Sequence, residues 1–158
     1  YEKLQLPKSM INRIKNLFTP SIPETEEHST NLIALSAGML LLEVAWADHD
    51  ISEGEVEHIK VALKELYELK TNEIAQIINQ ARSDHESSVG IQQHTQYLTN
   101  QLTKDERIEL LKSLWQVAFF DGQKHKYEEH QIRKISDLLY LNHSDFIRTK
   151  HEVISQEM

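Results

Sequence analysis

Apolar residues recur along this chain at helical spacing, and no stretch shows the strict alternation of a half-buried strand. Residues 31–47 are apolar on nearly every side, the pattern of a central helix surrounded by others. The spacing then predicts a helix opened by Ser52, with Val56, Ile59, Leu63 and Leu66 turned inward. A third starts at Thr71, with Ile74, Ile77, Ile78 and Ala81 inward. Residues 83–90 break the pattern with Ser, Asp and Gly, and residues 91–101 resume it around Tyr97 and Leu98. A long helix follows Thr103, carries Ile108, Leu111, Leu114, Trp115 and Ala118, and ends at Phe120. Residues 126–139 form the next, with Ile132, Ile135, Leu138 and Leu139 inward, and residues 142–154 the last, packing through Phe146 and Ile147. Ser52 with Glu55, and Thr103 with Glu106, have capping-box spacing, in which each side chain satisfies an orphan backbone donor of a helix start.

Ahead of these, residues 1–9 are polar, carry Pro7, and read as a leader or non-native remnant before Met10. Residues 10–18 form a short amphipathic helix, with Ile11, Ile14, Leu17 and Phe18 opposite Arg13 and Lys15. It either packs on the domain edge or docks on a membrane surface or protein partner. Residues 19–28, with Pro20, Pro23, Glu24, Glu26 and Glu27, read as a solvated linker. The domain is expected over residues 30–154, opened by Thr30 as helix cap, with residues 1–29 as leader, helix and linker.

The predicted helices contain a repeat. Glu43-Val44-Ala45-Trp46-Ala47-Asp48 leads into an acidic turn and then Glu55; Gln116-Val117-Ala118-Phe119-Phe120-Asp121 leads into another and then Glu128. A shift of 73 residues lays Asp48 on Asp121 and Glu55 on Glu128, as well as Ala45 on Ala118, Trp46 on Phe119, Ile59 on Ile132 and Leu66 on Leu139. The expected fold is therefore all-α: one bundle of seven to eight helices built from two pseudo-symmetric halves, with copies at about 31–70 and 104–140.

Composition narrows what such a bundle can do. The chain has 158 residues, enough to bury a sizeable core, and a formal charge of −8, which repels nucleic acid and anionic lipid unless a basic patch intervenes. It has no cysteine, so any metal must be held by carboxylate, imidazole, carbonyl or water. The longest apolar run is interrupted by Ser36, Gly38 and Glu43 and falls short of a membrane span, and no signal-peptide pattern opens the chain. A cytoplasmic protein is expected.

The acidic turns admit two readings. Asp48 and Asp121 follow the C-terminal ends of apolar helices, where the macrodipole disfavours a carboxylate. A bound cation, a basic side chain, or a capping role for the next helix would each compensate. Glu43, Asp48, His49, Asp50, Glu53, Glu55, Glu57 and His58 crowd the first copy, and a hard divalent cation takes six or more oxygen ligands. The spacing is not that of an EF-hand, because Glu53 stands where the glycine belongs and Ile59 where the bidentate acid belongs. Imidazoles from His49 and His58, or His125 and His130, match no zinc motif. Glu43 lies within an apolar run, as does its counterpart Gln116; such a slot holds either a paired hydrogen bond or a ligand reaching the turn.

Leu42-Glu43-Val44-Ala45-x-Ala47-Asp48-x-x-Ile51-x-x-x-Glu55 resembles the signature of the TerB-like, tellurite-resistance-associated proteins: an acidic turn followed by an acid that opens the next helix. Trp115-x-Val117-Ala118-x-x-Asp121-Gly122, followed by Tyr127-Glu128-Glu129-His130-x-x-Arg133-Lys134, resembles its second copy, and Ser144-Asp145-Phe146-Ile147-Arg148-x-Lys150 the end of the bacterial subgroup. The likeness covers residues 30–150. It implies a helical bundle of two similar halves, an acidic divalent-cation site, and an association with bacterial stress-response and tellurite-resistance systems. Carried over by position, the implied ligands are Asp48, Glu55, Asp121 and Glu128, with Glu43, Asp50, His49 and His130 secondary. The chain departs from the family at His49, where Gly is usual. Gln123, Lys124 and Lys126 dilute the charge of the second copy, which favours the first as the binding half.

The leading expectation is a non-enzymatic module that binds or senses a divalent metal (calcium, magnesium or zinc) and works with protein partners in a stress-response assembly. The alternative is an interaction scaffold whose acids are structural caps. A hydrolase would need a nucleophile elbow, a phosphate loop or a His-Glu-x-x-His pair, and the chain carries none.

Overall fold

The computed structural model describes residues 26–46, 51–86, 90–120 and 126–157. Seven helices occupy them: α1 (Glu26–Ala45), α2 (Glu53–Tyr67), α3 (Thr71–Glu86), α4 (Ile91–Gln101), α5 (Lys104–Ala118), α6 (Lys126–Leu138) and α7 (His143–Glu157). Among the described residues there is no strand, and the all-α expectation holds. The amphipathic helix expected over residues 10–18 lies outside them.

α1 is the axis of the molecule. Leu35, Met39, Leu40, Leu41, Leu42 and Val44 are all sealed from solvent, so its apolar character on every side is matched by neighbours on every side: α2, α3, α4, α5 and α6 all pack on it. Each fully buried Leu contributes about 1.5–3 kcal/mol through burial. Gly38 faces α2 and α3, where a Cβ would stand at contact distance from Ile77 Cγ2 (3.4 Å) and Leu63 Cδ1 (3.6 Å). A polar link crosses this core: His94 Nδ1 of α4 lies 3.1 Å from Ser36 Oγ of α1, with both residues fully buried. Burial without hydrogen bonding would be costly for either group.

The second layer is α5 against α7 and α6. Trp115, fully buried, stacks on Phe119 at 5.7 Å and meets the edge of Phe146 at 5.0 Å. Cations close the cluster: Arg133 lies 4.6 Å over Phe146, while Lys150 faces Trp115 and pairs with Glu129 at 2.7 Å. These contacts tie α5, α6 and α7 together at one spot.

Both expected capping boxes are present, at Ser52/Glu55 and Thr103/Glu106. A further pair of the same kind opens α7, where the Asp145 N–H donates to Asn142 Oδ1 at 2.8 Å and the Asn142 N–H to Asp145 Oδ2 at 3.4 Å. Two boundaries differ from expectation. α1 starts at Glu26, ahead of Thr30 and inside the expected linker, because acids suit the positive end of a helix. α3 runs on through Ser83 to Glu86, since Ser, Asp and His weaken a helix only mildly and no Gly or Pro intervenes before Gly90. Leu66, Ile108, Leu138 and Ile147, expected inward, are only partly buried and line the rim of the core. Some positions related by the 73-residue shift share their burial, as Ala45 and Ala118 or Ile59 and Ile132 do, whereas Trp46 and Leu66 are partly buried and their counterparts Phe119 and Leu139 are buried.

Candidate functional site: the crossed helix ends

Each acidic turn connects the end of one helix to the start of another. α1 ends at Ala45, with Trp46 half-buried beyond it, and α5 ends at Ala118, followed by Phe119 and Phe120. The end of α5 tightens: Phe119 N–H donates to Trp115 O at 3.0 Å and Phe120 N–H to Val117 O at 3.3 Å. The helices that follow the turns, α2 and α6, start with acids in their first turns, Glu53 and Glu55 in one, Glu128 and Glu129 in the other. The local field of a helix N-terminus favours those carboxylates.

The two halves do not keep these ends to themselves. Phe120 lies across the first turn of α2: a Cβ on Gly54 would stand 2.8 Å from Phe120 Cζ and 2.9 Å from Cε1, and the His58 ring faces Phe120 with centroids 5.4 Å apart. In the opposite direction, Gln131 Nε2 of α6 donates to Glu43 Oε2 near the end of α1, at 3.5 Å. His58 and Gln131 are equivalent under the 73-residue shift. Phe120 and Glu43 thus meet positions of α2 and α6 that the 73-residue shift relates, although Phe120 and Glu43 are not themselves related by it.

The expected site residues fare differently. Asp48, His49, Asp50, Asp121 and His125 lie outside the described residues. Glu55 belongs to the Ser52 capping box: its Oε1 accepts from the Ser52 N–H at 3.2 Å, and its own N–H donates to Ser52 Oγ at 3.1 Å. One carboxylate still has lone pairs for a further partner. Glu43 is the paired alternative, through Gln131. Glu128 is only 2% exposed in the first turn of α6, whereas His130 is exposed on that helix. Among the described residues no three His, Asp or Glu side chains gather closely enough to hold a metal ion. The described carboxylates do not by themselves make a metal centre.

Sequence reasoning missed the Gly54–Phe120 seat, the Glu43–Gln131 link and the depth of Glu128. Only one carried a signal: Gly54 stands in the first turn of a helix in a chain with four glycines. Among the described residues no helix is long and apolar enough to cross a membrane.

Comparison with known proteins adds one match. The family model described as "Tellurite resistance protein TerB" matches residues 33–151, well over half of the chain. No curated protein and no solved structure matches.

Proposed function

The chain belongs to the TerB family of tellurite resistance proteins, and on that premise we propose that it is a non-enzymatic module that binds a divalent cation between its two acidic turns. The observation that supports this most is the crossing of the helix ends: Phe120, the residue before the second turn, rests on Gly54, just after the first. Two helix C-termini, each carrying the partial negative charge of its macrodipole, lead into these turns. The chemistry suits a hard cation with oxygen ligands. Asp48 and Asp121 would be the primary ligands, with Glu55 and Glu128 supplying carboxylates from the following helices, and calcium or magnesium fits such a set better than zinc. Cation occupancy would set the geometry of the turns that a protein partner in a stress-response assembly meets.

Calorimetric titration with calcium, magnesium, manganese and zinc tests this reading. Saturable heat with one of them, lost on Asp48→Asn combined with Asp121→Asn, is the expected result. No heat and no thermal shift at millimolar concentrations of any of the four would sink it.

A second reading is favoured by the capping box. Glu55 has a structural task at Ser52, and its repetition as Glu128 need not reflect a ligand. The module would then be an interaction scaffold with structural acids. In that case a partner recovered by pull-down stays bound in chelator and stays bound to the double Asp→Asn variant.

A further inference from the structure

α2 and α3 are joined by Glu68, Leu69 and Lys70 alone, so the chain turns straight back and the two helices pack as an antiparallel pair. A cavity of about 190 Å³ opens between them. Each helix lines it with one face, residues 53, 56, 57 and 60 of α2 and residues 75, 78, 79 and 82 of α3. Because the helices run in opposite directions, Glu53 and Arg82 share one end of this groove. Val56 and Ile78, both buried, form its floor. Lys60 and Glu57 satisfy each other at 3.2 Å. The other polar side chains are unengaged: among the described residues, those of Glu53, Asn79 and Arg82 make no hydrogen bond or ion pair. Arg82 stands out among them. It is half-buried, and its Nε is sealed from solvent with no acceptor. Water serves an unpaired arginine on an open surface, but it does not serve a shielded donor.

We propose that the groove between α2 and α3 is a binding site for a small zwitterion, an α-amino acid with an aliphatic side chain. The ligand carboxylate lies against Arg82 and Asn79, its ammonium against Glu53, and its side chain on Val56 and Ile78. A guanidinium offers a fork of donors that matches a carboxylate, and the Asn79 amide adds another donor. A plain anion would meet Glu53 and Glu57 as well as Arg82, on a chain of net charge −8, and would be repelled. A molecule carrying both charges answers both ends of the site. The volume lies below the roughly 300–1,000 Å³ of drug-sized pockets, which restricts the ligand to a small molecule. Every residue of the site lies on α2 or α3, so the proposal stands whether or not the protein binds a cation.

Titration of the isotope-labelled full chain with L-valine, followed by NMR in the presence of a chelator, tests this with no cation taking part. Saturable shifts of the amides of residues 53–60 and 75–82, together with the Arg82 Nε–H resonance, are the expected result. N-acetyl-L-valine and acetate keep the carboxylate but lack the ammonium, and inorganic phosphate is an anion alone. Each should bind about 10-fold or more weakly, as the loss of a charge-assisted hydrogen bond dictates. Arg82→Gln and Glu53→Gln each remove one charge from the groove, with far-ultraviolet circular dichroism and thermal melts as fold controls. Each variant should weaken L-valine binding by about 10-fold or more. Glu53 is exposed, so its variant keeps the test decisive if Arg82→Gln disturbs the helix pair. Wild-type affinity in Glu53→Gln overturns the ammonium contact. Acetate or phosphate binding as tightly as L-valine overturns the zwitterion in favour of a simple anion site. No saturable shift in the wild-type protein, or shifts kept in both variants, overturns the site itself.

Discussion

Among the described residues, Glu68 at φ 52° and Tyr140 at φ 57° hold the left-handed backbone that side chains usually avoid. Tyr140 follows α6 in a Schellman arrangement, with its N–H donating to Asp137 O and the Leu141 N–H to Ser136 O, both at 3.1 Å. Glycine is the usual residue there, yet the tyrosine is 77% exposed and gains little packing. Tyr140→Gly should therefore raise stability by about 1 kcal/mol, read as a higher urea midpoint with unchanged slope; a lower midpoint would show that the exposed ring holds something together. Tyr67 makes a pH-dependent prediction. Burial, and then the Glu106 carboxylate, push its phenol up from the ordinary 10.0. The folded protein thus keeps a proton that the unfolded chain has begun to release. This stability is fully present below pH 10 and is lost as pH rises from there through the folded-state value. In urea denaturation at stepped alkaline pH, Tyr67→Phe should show a shallower decline than wild type, and parallel curves would contradict it.

At the scale of elements, the helix starts were the most legible part of the chain. Ser52/Glu55 and Thr103/Glu106 mark α2 and α5 because a capping box is chemistry between residues three apart, visible without a fold. Ser52→Ala and Thr103→Ala should each cost about 1 kcal/mol in chemical denaturation. Glu55→Gln separates structure from ligation. Glutamine completes a capping box as well as glutamate does, so stability should hold while cation affinity falls; an unchanged affinity would leave Glu55 with the cap alone. The ends at Glu26 and Glu86 were less legible, because acids, Ser and His at helix margins carry preferences of only a few tenths of a kcal/mol. Nor does spacing along one helix separate a core residue from a rim residue such as Leu66 or Ile108. That depends on which neighbour covers it.

For the whole molecule, five helices share one buried helix, so damage to α1 is felt everywhere at once. Leu41→Ala, at a site with no solvent exposure, should cost about 2–5 kcal/mol and keep unfolding a single cooperative step by circular dichroism and fluorescence. Separate transitions would mean that the halves fold apart. The all-helical architecture followed from hydrophobic periodicity, which is a property of one element at a time. The candidate site followed only in part. Its acids stood out as a repeat, but the contacts between the helix ends run through Gly54, His58, Gln131 and Phe120, residues of unlike chemistry from helices far apart in sequence. Contacts of that kind arise from how helices assemble, and a linear reading does not contain them.

The chain's two tryptophans give this bundle a pair of optical reporters that answer different questions. Trp115 lies in the sealed aromatic cluster, so its emission should be blue-shifted and should change only when the core opens. Trp46 is half-buried just past the end of α1, close in sequence to the first acidic turn. Trp115→Phe would leave Trp46 as a single lamp at that turn. Its quantum yield during a calcium titration would then follow events at the helix end without any attached dye.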